Sequence, residues 1–220
     1  MSITVIVLVV LVIALLYFLY VYFVKKSNTL TANANLNNKN LPITTLNSGT
    51  STRYAYGIWV FVNTWNTTTS KTIFKRDNNI EVSLDSSQPT LYVKIIQNPV
   101  TDDSDVIVVT DNFPVQTWTY IVVSGDDKII DCYLDGKLVT SKKLTNGPQQ
   151  PSATTPVLLG NGWDAYVAGF KNWSGPVGPQ EVWDAYIAGN GSVLAQYFSS
   201  YGMTLSVTKN NVEQSKYTIF

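Results

Sequence analysis

The sequence predicts an antiparallel all-β sandwich of jelly-roll type with one short helix, standing behind an N-terminal transmembrane α-helix. Three observations carry the prediction. Residues 3–24 run without a charge, a proline or a glycine. From Arg53 onward, short runs rich in Val, Ile, Thr, Tyr and Trp recur every 10–15 residues between turn residues. Outside the leading run, only one segment has helical spacing.

The leading run comes first. Ile3 to Val24 is 22 residues long. As a helix it would reach about 33 Å, against about 30 Å for a bilayer's hydrocarbon core. Tyr17, Tyr20 and Tyr22, followed by Lys25 and Lys26, supply the aromatic and cationic groups that a membrane interface favours. A cleaved signal peptide fits less well: the run is too long and no base precedes it. The two lysines lie on its C-terminal side, so the positive-inside rule expects the remainder of the chain on the cytosolic face. Three glycosylation triplets, at Asn66, Asn172 and Asn190, would suit the opposite topology. Such triplets arise by chance in a chain rich in Asn, Ser and Thr, and they rank below the lysines.

Ser27–Thr52 holds seven Asn and six Thr and shows no periodicity, which reads as a flexible stem. The expected organisation is therefore an anchor at 1–26, a stem at 27–52 and a β-domain at 53–220. Expected strands are Tyr54–Val62, Lys71–Lys75, Ile80–Leu84, Thr90–Ile96, Asp105–Thr110, Thr117–Ser124, Lys128–Leu134, Lys137–Lys142, Val157–Gly160, Tyr166–Trp173, Met203–Val207 and Lys216–Ile219. Asp135-Gly136 between two apolar runs predicts a hairpin closed by a type I′ turn. The helix is expected from Pro179 to Ile187, with Val182, Trp183 and Tyr186 on one face and Gly189 just beyond its end. The heptapeptides beginning at Trp163 and Trp183 are near-duplicates. A repeat architecture needs three units, and one copy lies in a strand and the other in a helix, so the match is coincidental.

Composition narrows the chemistry. Residues 1–76 carry seven bases and no acid, whereas 15 acids face eight bases from Asp77 onward. No basic patch with interleaved aromatics appears, so nucleic acid is not an expected partner. With no histidine, a Ser-His-Asp triad, a His-based zinc site and a Cys-His dyad are excluded. The single cysteine, Cys132, cannot form an internal disulfide and reads as a small buried apolar residue.

The run Trp118-Thr119-Tyr120-Ile121-Val122-Val123, then Cys132 to Lys137, resembles the central hairpin of laminin-G-like, concanavalin A-like jelly rolls. Gly169-Phe170-Lys171-Asn172-Trp173 and Gly178 to Trp183 are similar to that superfamily's late strand and short helix. Tyr201 to Val207 and Tyr217 to Phe220 resemble the last strands of the version found in large icosahedral DNA viruses. The resemblance spans residues 53–220. It implies a structural virion protein, a minor capsid protein tethering an inner viral membrane to capsid proteins on its cytosolic side. The alternative it leaves open is a membrane-anchored, carbohydrate-binding attachment protein.

The superfamily also hosts glycosidases, which need two carboxyls flanking the bond. The chain's three glutamates, Glu81, Glu181 and Glu213, are far apart and no paired motif is present, so no enzyme is expected and no cofactor. Glycan-binding relatives often use calcium, and Asp102, Asp103 and Asp105 with Asp111 form the densest oxygen-ligand cluster, although acids between strands are ordinarily a solvated loop. Trp65, Trp163, Trp173 and Trp183 could stack on sugars. Trp59 and Trp118 read as core, Trp173 and Trp183 as strand-to-helix packing, and Trp65, in a polar loop, as the exposed contact.

Overall fold

The protein's computed structural model describes residues 8, 10–17, 27–38, 41–46, 49–101, 103–190, 204–209 and 212–218. Two six-stranded antiparallel sheets face each other. Sheet A runs β1 (Ser27–Asn35), β12 (Ala165–Trp173), β3 (Arg53–Val62), β8 (Trp118–Asp126), β9 (Ile129–Leu134), β10 (Lys137–Lys143). Sheet B runs β2 (Leu41–Ile43), β11 (Val157–Leu159), β4 (Lys71–Arg76), β5 (Ile80–Leu84), β6 (Leu91–Asn98), β7 (Asp103–Thr110). The remaining pair, β13 (Thr204–Lys209) and β14 (Val212–Thr218), makes a separate two-stranded sheet.

The main core lies between the six-stranded sheets. Ile58, Val60, Ile121 and Val123 of sheet A meet Ile73, Val82, Val93 and Ile107 of sheet B, all fully or nearly buried. Alternation explains which residues arrive there, because successive side chains of a strand point to opposite faces. In β5 and β6 the alternation is plain, buried then half-buried along the strand. In β3 nearly every residue is buried, the mark of a strand covered on both faces.

Every strand expected between Tyr54 and Trp173 is present, with no end displaced by more than two residues. The hairpin is present too: Asp135 and Gly136 have φ of 46° and 79°, the two positive values a type I′ turn requires. The expected helix forms at Pro179–Ile187. Near the C-terminus, β13 and β14 run longer than expected, and Met203 and Ile219 lie outside the described residues.

The stem is the correction. Ser27–Thr52 contributes two strands, β1 pairing with β12 and β2 with β11. Leu36, just past β1, is wholly buried in the main core, with Leu30 and Ala34 packed against it. An asparagine-rich edge strand draws its stability from backbone pairing and a few inward apolar residues, so its composition imitates a linker.

Residues 10–17 are helical, and Leu11, Ile13, Leu15, Leu16 and Tyr17 are all exposed. Among the described residues, no helix is long and apolar enough to cross a membrane. The expected interface residues Tyr20, Tyr22, Lys25 and Lys26 lie outside the described residues.

Candidate functional site

Sheet A has a second apolar layer on its outer face. Ala55, Trp59, Tyr120, Val122, Tyr133, Ala168 and Trp173 point outward and are buried by Val177 and by Val182 of the helix, with Ala185 and Tyr186 beside them. This roof is fixed at its start by Ser124, whose Oγ accepts from Val177 N at 2.9 Å and donates to Val177 O at 3.2 Å. Pro179 stands at the helix start, where its missing N–H costs nothing. Beneath the roof, Trp59 stacks on Tyr120 at 5.0 Å and on Tyr186 at 5.5 Å. Burial pushes the Tyr120 hydroxyl up from its ordinary range.

The roof stops short of the sheet's end. Beyond it, strand register places Asn35 opposite Tyr166, Tyr166 opposite Phe61, and Phe61 opposite Trp118. Four side chains therefore form a row across β1, β12, β3 and β8, on one face because directly paired residues point the same way. Tyr166 is 42% exposed and Trp118 36%. The Phe61 and Trp118 rings lie 5.6 Å apart at 49°. Asn33, two residues before Asn35, points to the same face and makes no side-chain hydrogen bond among the described residues. A groove of about 410 Å³ runs here, lined by Asn33, Ala34, Asn35, Trp118, Tyr166 and Val167.

Adjoining loops hold this rim rigid. Asp164 accepts from Asn63 Nδ2 at 2.8 Å and from Thr64 Oγ1 at 2.7 Å, and Gln116 N donates to Val62 O at 2.9 Å. A row of exposed aromatic faces flanked by primary amides, on braced strands, can stack against a flat apolar surface and hydrogen-bond hydroxyls at its edge.

The expected site residues are distributed differently. Trp118, read as core, is the outermost ring of the exposed row, because it opens β8 where no roof reaches. Trp65, read as the exposed contact, is half-buried, with the Lys71 ammonium 4.2 Å from its ring centroid. Lys71 is itself anchored on the carbonyls of Thr69, Asp85 and Ser86, which fixes one face of Trp65. Trp163 is core and donates to Thr72 O at 2.8 Å. Trp173 packs beneath the roof and Trp183, 41% exposed, packs the helix over Gly136 of the β9–β10 turn, both the strand-to-helix packing expected.

The aspartates do not converge. Asp105 bonds Lys142 at 2.8 Å and Gln97, and the lysine holds its carboxyl below the usual range. Asp103 accepts from Asn146. Asp111 lies beyond the opposite end of β7, about 20 Å away along an extended strand. Asp102 lies outside the described residues. Glu81 projects from sheet B and Glu181 from the roof of sheet A, so two of the three glutamates occupy opposite faces. Cys132 is buried, which pushes its thiol up to about 12. Of the glycosylation triplets, Asn66 is exposed, whereas Asn172 is buried and donates to Ala55 O and Trp173 O.

A family model described as the concanavalin A-like lectin/glucanases superfamily matches residues 31–188. That span begins inside β1, further upstream than the resemblance at 53–220, and ends at the helix. No curated protein matches the chain in sequence. Among solved structures, the receptor-binding domain of botulinum neurotoxin type G aligns at 17% identity and TM-score 0.54, over 73% of this chain and 45% of that one. The binding domain of botulinum neurotoxin DC, in complex with SialylT, aligns at 14% identity and TM-score 0.54, over 67% and 38%. A type C neurotoxin whose passage into cells depends upon interaction with two ganglioside molecules aligns at 14% identity and TM-score 0.50, over 60% and 35%. The chain thus spans less than half the length of these neighbours, and at such identities the likeness is one of fold.

Proposed function

The chain belongs to the concanavalin A-like lectin/glucanases superfamily, and on that premise we propose that it is a membrane-anchored carbohydrate-binding protein without catalytic activity. The exposed row Asn35–Tyr166–Phe61–Trp118 carries the proposal. The C–H faces of sugar rings stack on aromatic rings, and the Asn33 and Asn35 amides suit hydroxyl groups at the ring edge. No charged side chain lines the groove, so the ligand is a neutral sugar. A structural neighbour interacts with gangliosides, which are acidic glycolipids, so the likeness supports glycan recognition in general and not the neutral ligand argued here.

Ile3–Val24 serves as the anchor in this proposal. Carbohydrate recognition calls for the domain on the outward face, whereas Lys25 and Lys26 favour the cytosolic one. Two charges make a weak orientation signal. Asn66 reports the answer, since glycan occupancy there requires a lumenal or external domain. A shell tether, which the viral resemblance implies, loses its spacer once Ser27–Asn35 is paired in sheet A.

The test is a neutral-glycan array probed with the detergent-solubilised full chain, alongside Trp118→Ala and Tyr166→Ala. Each variant should lose at least tenfold in affinity while keeping its melting temperature. Absence of binding by the parent chain, or retained binding in both variants, defeats the proposal.

A further inference from the structure

The end of the sandwich away from the aromatic row is a single hydrogen-bonded rim. Lys128, in the β8–β9 turn, donates to Thr145 O at 3.2 Å and its carbonyl accepts from Leu144 N at 2.7 Å. Asn146 N then donates to Gln97 Oε1 at 2.8 Å, and Asn146 Nδ2 reaches Asp103, joining the β6–β7 turn. On the other flank, Thr52 Oγ1 donates to Asp127 at 2.9 Å. Two apolar side chains stand exposed at this rim, Val100 in the β6–β7 turn at 91% and Ile129, the first residue of β9, at 47%.

β1 starts at the same end. Ser27 pairs with Trp173, and Trp173 with Ala55, beside the Arg53–Asp126 pair where β3 meets β8. Only Lys25 and Lys26 separate the apolar run from this first paired residue. The three steps from Val24 to Ser27 span about 11 Å at most. Asn35, at the other end of β1, is eight residues further on, about 26 Å at strand rise.

We propose that this rim is a membrane-facing surface, with Val100 and Ile129 seated among lipid headgroups and the aromatic row held about 26 Å farther from the bilayer. The inference rests on the reading of Ile3–Val24 as a span. The short connection leaves the domain no room to stand off, and fixes which end meets the lipid. Apolar side chains at the interface give up exposed area that would otherwise be unfavourable in water.

The test uses the full chain reconstituted into phosphatidylcholine vesicles that carry a lipid-borne nitroxide quencher. Val100→Cys, Ile129→Cys and Thr117→Cys each receive an environment-sensitive fluorophore. Thr117 is exposed beside Trp118, at the far end. The native Cys132 is wholly buried and stays unlabelled. Probes at 100 and 129 should be quenched at least twofold more than the probe at 117. Equal quenching at all three sites, or none in a chain that floats with the vesicles, overturns the inference. A chain that fails to float removes the span and the inference with it, while glycan binding by the row stands or falls separately.

Discussion

Sheet A turns Trp59, Tyr120, Val122 and Trp173 outward beneath a roof, whereas sheet B turns outward Glu81, Tyr92, Lys94 and Val108, with no helix laid across them among the described residues. On sheet B, Lys75, Glu81 and Lys94 follow one another across three strands, a charge ladder suited to water. On sheet A the equivalent positions are aromatic and apolar, so that face needed a cover, and Val177 to Tyr186 supplies it. The cover is shorter than the face. The surface proposed to bind sugar arises where the sheet keeps its apolar character beyond the last residue of the roof, at Phe61, Trp118 and Tyr166. On sheet B the outward apolar residues, Tyr92, Val106 and Val108, stand beside the charged ladder rather than in an aromatic row.

The largest effect should come from the roofed face. Trp173→Ala removes an indole that is 5% exposed and packed over Gly57, and should cost about 3–5 kcal/mol. Thermal or denaturant unfolding measures it, and a loss below about 1 kcal/mol would show that the roof contributes little. Next is Gly57→Ala. A Cβ there would sit 2.5 Å from Tyr120 Oη and 2.9 Å from the Trp173 ring, an overpacking of about 1–3 kcal/mol. Adding Tyr120→Phe removes the nearest colliding atom, a buried hydroxyl without a partner among the described residues, and should recover part of the loss. Simple addition of the two single effects would show that the atoms do not collide.

These contrasts also explain what the sequence disclosed. Tyr54 to Val62 is apolar at almost every position, and Leu91 to Ile95 alternates, so one-sided and two-sided cover were both legible. β1 was missed because seven Asn and six Thr across Ser27–Thr52 outweighed a faint signal, Leu30, Ala34 and Leu36 at even spacing. The exposed row was missed for another reason. Trp118, Tyr120 and Val122 share one face and one alternation, and nothing in their order tells where a helix some 60 residues later will stop covering them. Strand register, which joined Tyr166 to Phe61 and Trp118, depends on which strands become neighbours and is absent from local pattern.

A matched pair of substitutions sharpens the comparison of faces. Val122→Thr places a hydroxyl beneath the roof at a wholly buried position, where lacking a partner costs about 1–3 kcal/mol. Val108→Thr makes the same exchange on the open face, at 53% exposure, and should change stability by no more than about 0.5 kcal/mol. Similar losses at both sites would mean that sheet B also has a cover in the folded protein.

The smallest effect tests the seam between the two faces, where β10 of sheet A meets β7 of sheet B. Lys142 Nζ lies 2.8 Å from Asp105 Oδ1 and also donates to Val106 O at 3.3 Å. The bond to Lys142 is the main cause of Asp105's lowered pKa, with Gln97 adding to it and burial opposing. A carboxylate more acidic in the folded than in the unfolded chain stabilises the fold above the unfolded value, near 3.8. That contribution falls away as pH drops through the lower folded value. Because both side chains are partly exposed, at 37% and 21%, it should stay below about 1 kcal/mol. Lys142→Met keeps the apolar stem and removes the charge, so it should be slightly less stable than the parent at pH 6. The difference between the two should shrink as the buffer is acidified through Asp105's lowered folded value, beyond which the carboxyl is neutral in both. A gap that persists unchanged in acid would assign the stabilisation to the Lys142–Val106 hydrogen bond, leaving the two sheets joined at this seam by backbone contact rather than by charge.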